Sequence, residues 1–256
     1  HAFSLTRRTA GGGSGITIEN LRCLPDWGWR ALSAVYTAIA ETGIFPKIYK
    51  IGHITLISKK ADRHGELTNT RPISVLESSY RLFTNIVQKS IADCMASYDL
   101  VPETLHAYLK GRSTKDPIAI MASVLDYAND TGTPLHCFLA DIKACYDCIP
   151  FTTLQLTAAR FGLPPKFLRL LRGMLSGQRR TLGISGQKGR LRSPQFIIRG
   201  GIAQGCGLSC ILLVLVTHAI QAFVQAPHKY LPQPRTPRNN PHHTPRKTPS
   251  QTAPPA

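Results

Sequence analysis

Apolar residues along the chain recur in two rhythms. Helical spacing runs through Asp26–Glu41, where Trp29, Leu32, Val35, Tyr36 and Ile39 share one side and Gly43 supplies the stop. It returns in Ser78–Met95 through Leu82, Phe83, Ile86, Val87 and Ile91, and again in Lys115–Asn129. Short apolar runs read as strands at Ile51–Ser58 and at Leu135–Asp141, the second ending on a carboxylate. Two further helices are expected at Phe151–Phe161 and Pro165–Leu175. A hairpin of Arg179–Ser185 with Pro194–Arg199 follows, then a last helix, Gly207–Gln225. Between them, Lys59–Thr70 is polar and reads as a loop, and residues 1–15 are basic, glycine-rich and expected to be flexible. The apolar run Leu208–Val216 is too short and mixed for a confident membrane span and is expected to be a buried helix.

The pattern stops after Ala226. Nine of the last thirty residues are proline, five are Lys or Arg, and large apolar side chains almost vanish. Such a segment buries too little surface to offset its ordering entropy, so residues 227–256 are expected to be a disordered basic tail. Charge divides the chain in a second way. The net charge is +17, and all 14 acidic residues lie between Glu19 and Asp147, whereas 15 Lys or Arg follow Cys148 with no Asp or Glu among them. A half of one sign favours a polyanion such as nucleic acid. Seven cysteines form no regular framework, which suits reduced intracellular thiols.

Three segments carry candidate chemistry. In Phe138-Leu-Ala-Asp-Ile-Lys-Ala-Cys-Tyr-Asp147, a carboxylate at the end of a buried strand is costly unless paired; a divalent cation is one partner, and capping the next helix is the plainer role. In Gly201-Ile-Ala-Gln-Gly-Cys-Gly-Leu-Ser209, glycines at a helix start let backbone amides approach a phosphate, although glycine also serves ordinary turns. In Asn69-Thr-Arg-Pro-Ile-Ser-Val-Leu76, an Arg fixed ahead of a proline can present its fork to a triphosphate or simply sit on the surface.

Order and spacing join these segments. Arg8-Thr-Ala-Gly-Gly-Gly-Ser-Gly-Ile16 resembles the K-A-P-G-P-D-G-I segment of reverse transcriptases of non-LTR, LINE-type retrotransposons. Ile54-Thr-Leu-Ile-Ser-Lys59 and Arg71-Pro-Ile-Ser74 resemble that family's fingers motifs, and His106-Ala-Tyr-Leu-Lys-Gly-Arg-Ser-Thr114 its Q-A-[YG]-x-x-G-R-S-T segment. Asp141–Asp147 is similar in outline to palm motif A, D-x-x-K-A-F-D, with Lys143 one place early and Tyr146 in place of Phe. Gly162-Leu-Pro-Pro-Lys166 fits the G-[IL]-P-x-x segment, and Gln204-Gly205-Cys206 with Leu208-Ser209 fits motif B, Q-G-C-P-L-S-P.

The resemblance, running from about Arg7 to Ala226, implies an α/β (α+β) polymerase right-hand fold with fingers and a partial palm over residues 16–226 and no thumb. It implies an RNA-directed DNA polymerase that extends a DNA primer on an RNA template from dNTPs with Mg²⁺, inside the cell, nuclear or cytoplasmic. By the same resemblance Asp141 is the catalytic metal ligand, helped by the carbonyl of Ile142. Tyr146 lies under the incoming sugar and excludes a 2′-hydroxyl. Arg71, with Lys59, holds the triphosphate, and Gln204 and Gly205 line the nucleotide pocket. The pattern also breaks: Gly207 and Cys210 replace two prolines of motif B, Val214 stands where Asn is usual, and the paired aspartates of motif C have no counterpart after Asp147. The chain is therefore expected to be truncated before motif C and inactive as a polymerase, the alternative being a noncatalytic nucleic-acid-binding remnant of a decayed element.

Overall fold

The computed structural model describes residues 10–59, 69–98, 100–186 and 189–225; the expected flexible start lies mostly outside these, and the expected basic tail wholly so. The element order is α1 (Ile18–Arg22), α2 (Asp26–Thr42), β1 (Ile51–Ser58), β2 (Thr70–Val75), α3 (Ser78–Ser97), α4 (Lys115–Thr131), α5 (Cys145–Cys148), α6 (Phe151–Arg160), α7 (Pro165–Leu175), β3 (Arg179–Gly186), β4 (Gly189–Arg192), β5 (Phe196–Ile197) and α8 (Ser209–Gln225). The result is a mixed α/β fold.

Its sheet is mixed as well, in the order β2-β1-β3-β4. β1 pairs antiparallel with β2, placing Ile54 opposite Ser74 and Ile57 opposite Arg71, and parallel with β3, placing Gly52 opposite Arg180. Proline inside β2 is tolerated because β2 is an edge strand, where Pro72 has no ladder bond to lose on its outer side. The expected hairpin after Arg179 is re-drawn: β3 pairs first with β4, and only Phe196 and Ile197 of the predicted second strand join it. Sequence spacing also missed α1 and read β2 as part of a loop and a motif, since Pro72 and the polar Thr70 and Arg71 hide its strand character.

The helices pack on one another, α6 with α8, α7 with α2 and α6, and α3 with α1 and α8. Ile211, Leu212 and Leu215 of α8 are fully buried in one core cluster that also holds Leu154 and Ala158 of α6, Leu170, Leu171 and Met174 of α7, and Tyr80 and Phe83 of α3. Helices α2 and α7 approach so closely that a side chain at Gly173 would collide with the carbonyl of Gly43. Among the described residues no helix is long and apolar enough to cross a membrane.

One expected element is absent. Residues 133–142 form no strand and have no ladder partner among the described residues, and Phe138 is 92% exposed. A strand satisfies its backbone only through a neighbour. The apolar run Leu135–Asp141 lacks one, so it extends without joining the sheet. The preceding helix α4 forms as predicted but buries none of its residues.

Candidate active site

The site is built where the end of β2, the turn around α5 and the segment leading into α8 meet. Asp147 and Cys148 donate their amides to the carbonyl of Ala144 at 2.8 and 3.1 Å, which closes the one-turn helix α5. Ala144 itself is left-handed, with φ 50°. The next stretch is tied to the α8 side by Gly201 N–H to the Ile149 carbonyl at 2.8 Å and Ile202 N–H to the Tyr146 carbonyl at 2.6 Å. Gly201 is required there: φ is 84°, and a Cβ would stand 2.9 Å from the Asp147 carbonyl.

The same segment locks onto β2 and α3. Ser74 donates its amide to the Gln204 carbonyl at 2.7 Å. Gly205, with φ 125°, lies so close to the Ser74 carbonyl that a Cβ would collide with it. Cys206 is buried with its Sγ 3.6 Å from the Tyr80 hydroxyl, and burial pushes both groups up from their ordinary pKa. Gly207 donates its amide to Thr84 Oγ1 at 3.2 Å. Gly205 thus lets backbone meet backbone and Gly207 lets the chain lie against Asn85 and Thr84 of α3, packing roles beside the ligand approach expected of these glycines.

Side chains then converge. Gln204 Nε2 donates to Asp147 Oδ2 at 3.4 Å, and burial raises the Asp147 carboxyl above the ordinary range. Tyr146 is partly buried and donates its hydroxyl to Tyr108 Oη at 2.9 Å; burial, that bond and the neighbouring Cys210 thiol all raise its pKa. Asp141 and Ile142 lie on the exposed approach to this turn, and Asp141 acts on the Cys145 thiol, which burial raises first. A cavity of about 200 Å³ is lined by Asp147, Gln204, Ser74, Gln178 and Arg180 among others. Arg180 is 2% exposed, and its guanidinium is held by neutral oxygens: the carbonyls of Lys50 and Arg179 and Gln178 Oε1.

The segments bearing Tyr146 and Gln204-Gly205 are therefore joined through backbone and through the Gln204–Asp147 contact, whereas the Tyr146 hydroxyl turns to Tyr108; Asp141 and Ile142 lie at the exposed approach. Arg71 and Lys59 stand at the other end of the strand pair. Lys59 donates its amide to the Asn69 carbonyl at 2.8 Å, at the loop end of the β1–β2 hairpin. Strand alternation sets Arg71 on the face of Ile73 and Val75, away from Pro72 and Ser74. That face borders a larger cavity of about 550 Å³, roofed by the glycine-rich residues 10–15 and floored by His53, Thr55 and Ile73. The sequence reading missed Tyr108, Cys210, Tyr80, Thr84 and Arg180 as neighbours of the site. Separation along the chain hides most of these contacts; only the His106–Thr114 segment and the motif B position of Cys210 pointed near any of them.

Asp141 and the Ile142 carbonyl are hard oxygen donors suited to a cation such as Mg²⁺. Among the described residues, however, no group of three His, Cys, Asp or Glu side chains surrounds a common point. These residues supply part of one coordination shell and do not fit a complete two-ion centre.

The model of the reverse transcriptase (RNA-dependent DNA polymerase) family matches residues 57–231. The chain is 25% identical over 203 residues to the probable RNA-directed DNA polymerase from transposon X-element of Drosophila melanogaster, covering 79% of this chain and 22% of that protein. It is 21% identical over 188 residues to the RNA-directed DNA polymerase from mobile element jockey of the same species, covering 73% and 20%. Similarity to the transposon TX1 149 kDa protein of Xenopus laevis is 25% over 210 residues, covering 82% and 15%. The chain thus spans 15–22% of the length of these relatives.

Proposed function

The chain belongs to the reverse transcriptase (RNA-dependent DNA polymerase) family, and from that membership we propose that it forms the nucleotide-facing part of a non-LTR retrotransposon polymerase. The observation that carries this reading is the seam described above, in which the motif A turn and the motif B glycines bind each other and the end of β2. On this reading residues 16–226 are fingers and partial palm of a right-hand fold. The sheet with α3 forms the fingers side, and α5–α8 with the 141–148 turn the palm side. Tyr146 lies under the incoming sugar, and Gln204 with the Gly205 backbone lines the nucleotide pocket. Arg71 and Lys59 meet the triphosphate from the strand pair, where a guanidinium fork gives bidentate phosphate contact.

Asp141 and the Ile142 carbonyl are the residues that would hold Mg²⁺. When bound, two such ions supply charge neutralisation for phosphoryl transfer between a primer hydroxyl and a dNTP. Template RNA and primer DNA lie along the basic half, whose 15 Lys or Arg after Cys148 meet no acidic neighbour in sequence. That same one-sided charge supports a second reading, noncatalytic nucleic-acid binding.

Two measurements on the 256-residue chain test these readings. Binding to an RNA–DNA primer-template is expected to weaken steeply with salt, by about 0.7–0.9 log units per log unit of salt for each phosphate neutralised. Affinity that does not change between low and physiological salt removes nucleic-acid contact from both readings. Primer extension with Mg²⁺ or Mn²⁺ is expected to be absent, because Asp141 is a single carboxylate in a centre that needs more. Extension that vanishes in Asp141→Ala would show instead that the chain completes its own centre and would remove the noncatalytic reading.

A further inference from the structure

Two non-glycine residues among those described have a left-handed backbone, Tyr108 with φ 59° and Ala144 with φ 50°. A residue with a Cβ adopts that conformation only when its surroundings hold it there, and such residues gather at functional sites. Far apart in sequence, these two converge on the same side chain. Ala144 begins the turn that presents Tyr146, its carbonyl taking the amides of Asp147 and Cys148. Tyr108 receives the Tyr146 hydroxyl at 2.9 Å.

Burial does not explain the strain at Tyr108, whose ring is half exposed. Its segment is braced from below. The Arg112 guanidinium donates to the carbonyls of Pro102 and Leu105 at 2.5 and 2.7 Å, and Asp116 accepts the Ser113 amide at 2.7 Å. A braced loop therefore delivers one phenolic oxygen to the tip of Tyr146. The hydroxyl oxygen is the side-chain atom farthest from the Cα–Cβ hinge, so a bond there opposes side-chain swing with the longest lever. Cys210, at the start of α8, touches the same hydroxyl from another element.

We propose that Tyr108 is a positioning residue for Tyr146: by fixing the ring against swing, it sets how strongly a deoxyribonucleotide is preferred over a ribonucleotide. This rests on the assignment of Tyr146 to the sugar made above. A ring free to tilt leaves room for a 2′-hydroxyl; a ring held at its far end does not. The preference is therefore steric in origin but depends on a bond made outside the pocket.

The test compares equilibrium binding of radiolabelled dGTP and GTP, with Mg²⁺, to the full chain on an RNA template–DNA primer whose next template base is cytosine. Tyr146→Ala is expected to abolish the preference for dGTP. Tyr108→Phe, which keeps the ring and removes the acceptor, is expected to reduce it about two- to tenfold, the range of one net hydrogen bond. That reduction comes from tighter GTP binding with dGTP affinity unchanged. Tyr108→Asn removes the phenol but suits a left-handed backbone, so it is expected to reduce the preference equally while melting no lower than the parent. Loss of preference in Tyr146→Ala with none in either Tyr108 variant overturns the positioning role alone. A preference absent from the parent chain, or untouched by Tyr146→Ala, overturns the sugar assignment and the inference with it. A fall in melting temperature that tracks the fall in preference across both Tyr108 variants shows a structural role only and also overturns it.

Discussion

Helices α4 and α7 are both written with apolar residues at helical spacing, yet their apolar faces meet different fates. In α7, Phe167, Leu170, Leu171, Met174 and Leu175 all turn into the core, and Leu171 is 1% exposed. In α4, Ile118 is 67% and Tyr127 66% exposed, and no residue is buried. The apolar run that follows α4 shares that state, with Phe138 and Leu139 facing outward. Amphipathicity thus records that a face wants a partner without naming one. Helix α7 finds α2 and α6 within the described residues, whereas α4 finds no such cover. Hydrophobic stabilisation follows the area removed from water, so the two helices contribute very differently to the stability of this chain.

The sharpest way to break that comparison is a pair of truncations. Leu171→Ala should cost about 2–5 kcal/mol in denaturant unfolding, the range for emptying a buried leucine site. Ile118→Ala, of similar chemistry, should fall within about 0.5 kcal/mol of the parent, as at ordinary surface positions. Equal losses would mean that α4 is covered in solution.

A second contrast lies between the seam and the helices. Gly205→Ala places a Cβ against the Ser74 carbonyl at a φ of 125°. Such backbone strain costs about 1–3 kcal/mol. Because the collision lies between β2 and the segment bearing Gln204, nucleotide binding should fall along with stability. Stability lost while binding is kept would detach the seam from the site.

The smallest effect is expected at Asp147. Burial raises its carboxyl above the ordinary 3.8, so the folded chain takes up a proton there more readily than the unfolded one. Its ionisation therefore weakens the fold as pH rises from 3.8 through the folded value. Asp147→Asn removes that penalty while still offering Gln204 an oxygen. The variant should match the parent below pH 3.8 and equal or slightly exceed it at neutral pH. Asp116 is shifted the opposite way, its carboxyl lowered chiefly by the Ser113 amide. Its contribution is present above 3.8 and lost as pH falls through its folded value. Unfolding free energies across that acid range, measured for Asp147→Asn and Asp116→Asn, should diverge from the parent with opposite slopes.

How much of this was legible beforehand depended on the range of each interaction. Helices α2, α3, α6, α7 and α8 could be drawn close to their observed bounds because an amphipathic helix carries its own period and most of its hydrogen bonds are local. Strand β1 was legible as a short apolar run, but β2 was not, since an edge strand containing Pro72 lacks that signature. The Leu135–Asp141 run carried the composition of a strand and became none, because a strand exists only with a neighbour. Motif order named Tyr146, Gln204 and Gly205; the structure ties their segments together through backbone, Ile202 to Tyr146 and Ser74 to Gln204, while the Gln204 side chain meets Asp147 and the Tyr146 hydroxyl meets Tyr108. The contacts of Gln204 with Asp147, Tyr146 with Tyr108 and Gly205 with Ser74 were decided by tertiary structure alone. Those contacts join segments tens of residues apart, and their geometry depends on how β2, α5 and the start of α8 pack, which no local spacing encodes.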